Sequence, residues 1–537
     1  MQNSGRLNKA VKLKSMNNKV IAYDSTLRDG AQAQGVSFTV EDKLKIVQQL
    51  DDLGVGYIEA GNPGSNPKDL AFFERVASLT LKHAKIIAFG STRKIGINAA
   101  DDRNLKSLLS ANTDAVAIFG KSWDYQVTNI LRATLEENLA MISDTVTYLR
   151  QQGKEVVFDA EHFFDGYKAN PDYAMQSLKA AADAGADVLC LCDTNGGTFP
   201  EEVFQLTKKV IESFGTQIGI HCHNDCEMAV ANSIAAVKAG AVQVQGTING
   251  IGERCGNANL SSIIPNVQLK LDMDCIPTSQ MCNLTTVSKF ISEIGGIPFN
   301  EKAPYVGSDA FSHKGGMHID AVNKNPVSYE HIEPTQVGNE RHILVSEVAG
   351  RSALLGKLQK VDPALTKESS DTKRVLEHLK VLEHEGYQFE NAEQSFDLRV
   401  RQLLGKKQIY FKLEKYNISI EAPSLVGSSS KIVVSFLVNG KTVSAEAEGN
   451  GPVDALDKAM RNALGGIYPA IKEIKLTDYK VRVLDSNLAT AAKVRVIIET
   501  SDADGSWNTI GVSTDITEAS WIALQDAIEY KLMRDAD

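Results

Sequence analysis

From Val20 to about Leu269 one unit recurs: an apolar run of strand length, then a stretch with apolar residues at helical spacing. The pattern predicts strands at Val20–Thr26, Tyr57–Gly61, Ile86–Thr92, Ala115–Gly120, Val156–His162, Val188–Thr194, Ile218–Asn224 and Val242–Asn249. Between them it predicts helices, among them Val40–Leu53, Leu135–Gln151, Asp172–Ala184, Pro200–Phe214 and Cys226–Ala239, each followed by a glycine within a residue or two. Helix, glycine, buried strand is the connection of a parallel sheet. Eight such units in about 250 residues point to a (β/α)8 barrel. The rival, a doubly wound open sheet, usually has fewer strands. For dinucleotides it also needs a glycine-rich first turn, which does not follow Thr26.

In a barrel, chemistry gathers at the C-terminal ends of the strands. The seventh run ends in His221-Cys222-His223. Residues two apart on a strand share a face, so both imidazoles aim at one point, which is half of a metal site. On its own this pattern also describes two incidental histidines. Asp29, after the first run, and Asn257, after the eighth, add hard oxygens. The set suits Zn²⁺, Mn²⁺, Co²⁺ or Fe²⁺, with Mg²⁺ possible. An iron oxygenase would use a similar set, but a barrel mouth is not its usual setting. A metal-dependent hydrolase would place its H-x-H on strand one, where this chain has Asp29.

Other strand-end residues each have two readings. Arg28 either bridges a neighbouring carboxylate or stabilises charge on a carbonyl oxygen. Glu161 is an ion-pair partner, or it orients a base or relays a proton. Thr194 caps a turn or binds a substrate carboxylate. Asp159 shares a strand face with Glu161 and either pairs with a lysine or arginine or faces the substrate. His318, on a helical pattern at Phe311–Val322, is structural or reaches the mouth from a folded-back helix or a neighbouring chain.

The barrel is expected over residues 19–270, after a basic, disordered leader at 1–18. Residues 271–405 read as helical linker subdomains, with patterns at Thr285–Ile294, Asp309–Val322, Arg351–Lys360, Val375–Leu382 and Ala392–Leu404. Residues 406–537 read as an α+β domain with an internal repeat of hairpin plus helix. Lys431–Val438 and Lys441–Glu448 flank Asn439-Gly440; Lys493–Thr500 and Asn508–Ser513 flank Asp504-Gly505. Each hairpin is followed by a one-sided apolar helix, and no catalytic cluster stands out, so binding is the expected work. The net charge of -10 argues against nucleic acid or an anionic membrane as a partner. No apolar run is long enough to span a bilayer. The seven cysteines show no zinc spacing, and Cys190, Cys192 and Cys222 read as buried thiols of a cytoplasmic protein.

The stretches Asp24–Gly30 (DSTLRDG), His221–Asp225 (HCHND) and Gly250–Asn257 (GIGERCGN) resemble the acyl-CoA-condensing metallo-barrel family. This family holds the 2-isopropylmalate, homocitrate and citramalate synthases and the related 3-hydroxy-3-methylglutaryl-CoA lyases. His313–His318 (HKGGMH), Tyr329–Pro334 (YEHIEP) and Val337–Arg341 (VGNER) look most like the pyruvate-using, citramalate-forming subgroup, and Gly449–Val453 (GNGPV) resembles part of the family's regulatory domain. The resemblance implies Asp29, His221, His223 and Asn257 as ligands of a divalent metal (Mn, Mg, Zn or Co). It implies Arg28 as the carbonyl-polarising residue and Thr194 as a substrate contact. It also implies that Glu161, His318 and Tyr329 serve deprotonation of acetyl-CoA. The expected partners are acetyl-CoA and a 2-oxo acid, a second copy of the chain, and an end-product amino acid, isoleucine, as effector. At Asp159 family members vary. Cys255 lacks the Gly-Cys-Pro context of the lyases and is expected to be structural.

Overall fold

The eight apolar runs form β1 (Ile21–Asp24), β2 (Tyr57–Gly61), β3 (Lys85–Ser91), β4 (Ala115–Lys121), β5 (Glu155–Glu161), β6 (Val188–Asp193), β7 (Gln217–Cys222) and β8 (Gln243–Gly246). All neighbours pair in parallel, and β8 returns to β1 to close a barrel. The strands belong to a computed structural model that describes residues 18–64, 67–343, 355, 358–359, 361–366, 368–421, 430–484 and 491–536. The leader up to residue 17 and most of the pattern at Arg351–Lys360 lie outside the described residues.

Alternate residues of each strand serve two cores. Tyr23, Tyr57, Ile87, Ala117, Val157 and Cys190 pack as one cluster. Their neighbours Ala22, Ile58, Ala88, Val116, Phe158 and Leu189 join the larger core with the surrounding helices. Helix Val40–Leu53 shows how sequence sets the frame. Thr39 and Asp42 bond each other's backbone N–H in a capping box, and Gly54 ends the helix at φ 95°. A Cβ there would lie 2.2 Å from Pro277 Cδ.

The chain divides into two compact units, Met1–Phe311 with His331–Arg341, and Ser312–Glu330 with His342–Asp537. The first includes helix Leu284–Gly295, at the expected place. In the second, the pattern at Asp309–Val322 yields a shorter helix, Gly316–Lys324, and the predicted pair becomes Ser370–Glu385 and Glu393–Leu403.

The repeat is larger than expected. Each copy has three antiparallel strands and a helix: Lys412–Ile420, Ser430–Val438, Lys441–Gly449 and Pro452–Leu464, then Lys475–Val483, Val494–Asp502, Gly505–Ser513 and Ile516–Arg534. The first strand of each copy escapes the alternation rule because a bulge breaks it, between Leu413 and Lys415 in one copy and between Leu476 and Asp478 in the other. The Asn439-Gly440 turn has φ of 49° and 76°, as a type I′ hairpin requires. Among the described residues no helix is long and apolar enough to cross a membrane.

Candidate active site

β7 stops at Cys222, and His223 follows in an isolated bridge with Asn257, so only His221 of the pair lies in the regular strand. The two imidazoles still converge. Their Nε2 atoms are 3.4 Å apart, and Asp29 Oδ2 lies 3.7 Å from His221 Nε2. Two nitrogens bound at about 2.1 Å to one tetrahedral ion would be about 3.4 Å apart, so the spacing fits. Asn257 donates through Nδ2 to Asp29 Oδ1 at 3.1 Å, while its Oδ1 is buried without a hydrogen-bond partner. A buried oxygen without a partner, a carboxylate and two ring nitrogens make a donor set that could hold a divalent cation.

Local sequence explains the placement of Asn257. Gly256 has φ 88°, and a Cβ on it would sit 2.0 Å from the Gly250 carbonyl oxygen. A Cβ on Gly252 would meet Asn257 Nδ2 at 2.2 Å. Arg254 then pins the loop, donating to both carboxylate oxygens of Asp225 at 2.9 and 3.0 Å and to the Thr194 carbonyl at 2.7 Å.

Burial lowers the pKa of both histidines, that of His223 to about 4 with help from the neighbouring His221. Both are therefore neutral imidazoles at neutral pH, the form that binds metal. Burial alone would raise the Asp29 carboxyl. Arg28, the two imidazoles and the Asn257 amide outweigh it and hold Asp29 well below the usual carboxylate range.

Arg28 forms the ion pairs of its first reading. Its Nε donates to Glu59 at 2.6 Å and its Nη1 to Asp29 at 3.0 Å, and its guanidinium lies 3.8 Å from the Phe89 ring centre. It also lines a cavity of about 280 Å³, together with Asp29, Asp159, Glu161, Thr194, His221 and His223. Phe89, Phe119 and Cys192 complete its apolar walls. Glu161 is ion-paired with Lys121. Thr194 Oγ1 accepts the His162 backbone N–H at 2.8 Å. Asp159 is buried and accepts from the amide of Gln245 at 2.9 Å, where a lysine or arginine was one expectation. Burial and the nearby Glu59 charge push its carboxyl up. His318 and Tyr329 belong to the second unit; both are exposed, and their rings stack with centres 4.1 Å apart.

Residues 19–291 match the HMGL-like family, 305–386 the homocitrate synthase post-HMGL domain-like family, and 390–532 the LeuA allosteric (dimerisation) domain. The (R)-citramalate synthase of Aquifex aeolicus is 51% identical over 526 residues, covering 97% of this chain and 99% of that protein. The (R)-citramalate synthase of a Synechocystis species is 50% identical over 522 residues, covering 95% of each. A probable 2-isopropylmalate synthase of Methanopyrus kandleri is 32% identical over 509 residues, covering 94% of this chain and 97% of that one. The chain belongs to the HMGL-like family, alongside these (R)-citramalate synthases.

In this family member, part of the site was hidden from sequence reasoning. Glu59 is fully buried in β2 and accepts from Tyr23 at 2.8 Å, from Ser25 and from Arg28. A single carboxylate inside the apolar run Tyr57–Gly61 was the available signal, because a buried charge needs a partner. Gln245 on β8, which touches both His221 and Asp159, carried no such signal.

Proposed function

We propose that the chain condenses acetyl-CoA with pyruvate and hydrolyses the thioester, releasing (R)-citramalate and CoA. The carrying observation is the convergence of two imidazole Nε2 atoms, Asp29 and the orphan Asn257 oxygen beside Arg28 in one cavity. The names of the relatives at 50% and 51% identity point to the same reaction.

Asp29, His221, His223 and Asn257 hold a divalent cation. When bound, that cation supplies Lewis-acid stabilisation for the oxygens of the 2-oxo acid. Arg28 donates to the keto oxygen as charge develops on it. Glu59 and Asp29 hold the guanidinium in place, so little reorganisation is needed. The Thr194 hydroxyl receives the His162 N–H on its oxygen and keeps its own hydrogen to donate to the substrate carboxylate. Glu161 supports removal of a methyl proton from acetyl-CoA, a step to which the resemblance also assigns His318 and Tyr329. The resulting carbon nucleophile attacks the keto carbon, the alkoxide takes up a proton, and water cleaves the thioester.

The buried Asp159 in the cavity wall favours pyruvate. A branched apolar group beside it would face a polar carboxyl to which it offers no bond. One methylene is worth only about 1–3 kcal/mol of discrimination, so 2-oxobutyrate should be a slow alternative substrate. The match to the LeuA allosteric (dimerisation) domain supports a homodimer inhibited by an end-product amino acid, isoleucine first. A thiol-release assay with acetyl-CoA, pyruvate and a titration of isoleucine tests the reaction and its control together. No CoA release with pyruvate would refute the reaction, and full activity at saturating isoleucine would refute that effector.

A further inference from the structure

We propose that Gln245 is a positioning residue of this site: it fixes which ring nitrogen of His221 is free to bind, and it takes its own orientation from Asp159 in the substrate cavity. The inference rests on the reading of Asp29, His221 and His223 as a divalent-cation site.

Gln245 is fully buried on β8, in register with His221 on the adjacent β7. Its two amide atoms face different partners. Oε1 lies 3.1 Å from His221 Nδ1, and Nε2 donates to Asp159 Oδ1 at 2.9 Å. Asp159 sits on β5, so this bond links strands that are not neighbours in the barrel. An amide rotated by half a turn would set its oxygen against the Asp159 oxygen, so Asp159 selects the orientation. The bond needs only a lone pair on Oδ1, which an ionised carboxylate and an acid protonated on Oδ2 both offer.

With Oε1 facing Nδ1, the one hydrogen of neutral His221 belongs on Nδ1. The Nε2 lone pair then points toward Asp29 and His223, as a ligand requires. The other tautomer would leave Oε1 facing a lone pair and put N–H where the cation binds. His223 has no comparable support, since its Nδ1 is buried without a partner. Tautomer control thus falls on His221, through Gln245. The same amide couples the metal ligand to the wall that contacts the 2-oxo acid.

The test uses the full chain. In metal-free protein labelled with ¹⁵N-histidine, the His221 resonances, assigned by their loss in His221→Gln, should report hydrogen on Nδ1 and none on Nε2. Binding of Mn²⁺, measured by competition with a chelating dye, should weaken about 10–100-fold in Gln245→Leu. Gln245→Glu still presents an oxygen to Nδ1 and should bind Mn²⁺ far more tightly than the leucine variant. A proton on Nε2 in the wild type, or unchanged Mn²⁺ affinity in Gln245→Leu, overturns the proposal while leaving the metal site standing. Equal losses in the two variants overturn it as well, reducing Gln245 to packing. A wild type that binds no Mn²⁺ removes the metal reading and this inference with it. Should Gln245→Leu fail to fold, the wild-type tautomer alone decides.

Discussion

Buried charge is used differently at the barrel mouth and in the C-terminal repeat. At the mouth Asp29, His221, His223 and Asn257 surround a point, and the Asn257 oxygen has no protein partner. In the repeat, buried Asp526 accepts from Ser395 at 2.7 Å, with Arg399 at 3.6 Å, and buried Glu529 is paired with Lys407 at 2.6 Å. Those pairs fasten helix Glu393–Leu403 and the segment after it to helix Ile516–Arg534. One arrangement gathers ligand-type atoms; the other pairs opposite charges. Burial therefore does not mark function by itself. What distinguishes the mouth is the convergence of several ligand-type atoms on one point.

The comparison breaks if mouth residues turn out to be structural. Asp29→Ala and His221→Ala should each lower turnover by about 10³-fold or more, with thermal midpoints near that of the wild type. Matched losses of stability in both variants would assign them to the fold instead.

A second test attacks the division from the other side, because His318 lies outside the barrel unit. His318→Ala should reduce kcat by about 10²–10⁴-fold with a much smaller change in the affinity for 2-oxo acid. Near-normal kcat would confine the chemistry to the barrel.

Glu59 sharpens the contrast within the mouth. It is a buried counter-charge of Arg28, and Glu59→Gln should destabilise the fold by about 1–3 kcal/mol, since Asp29 still faces the guanidinium. Denaturant unfolding measures this. In the repeat, Asp526→Ala should cost about 1–3 kcal/mol through the partners it orphans, with kcat unchanged.

The smallest effect concerns pH. Burial lowers His223 from 6.5 to about 4, so the unfolded chain binds the proton first. Its contribution to metal-free stability is complete above pH 6.5 and is lost as pH falls through the folded value. His223→Gln should flatten the stability profile between pH 4 and 6.5; an unchanged profile would mean that His223 is not the group that titrates.

Most of the barrel was legible because its signal repeats: eight buried runs, with five of the intervening helices closely followed by a glycine. The convergence of Asp29, His221, His223 and Asn257 was legible because these residues lie at or just after strand ends, which meet at one mouth in any barrel. What stayed hidden depends on contacts between strands. The Glu59–Arg28 pair and the Gln245 bridge appear only once the barrel closes. The outer strands of the repeat were hidden differently: a single bulged residue shifts the alternation of Leu413, Tyr416 and Ile418 out of step. His318 was placed on a helix correctly, but that helix begins only at Gly316.

The most direct measurement is kcat/KM for CoA release with pyruvate against 2-oxoisovalerate, on protein stripped of metal and then reloaded with one divalent cation. The account predicts no turnover before reloading and a clear preference for pyruvate after it. Full activity in the verified metal-free protein, or a preference for 2-oxoisovalerate, would contradict it.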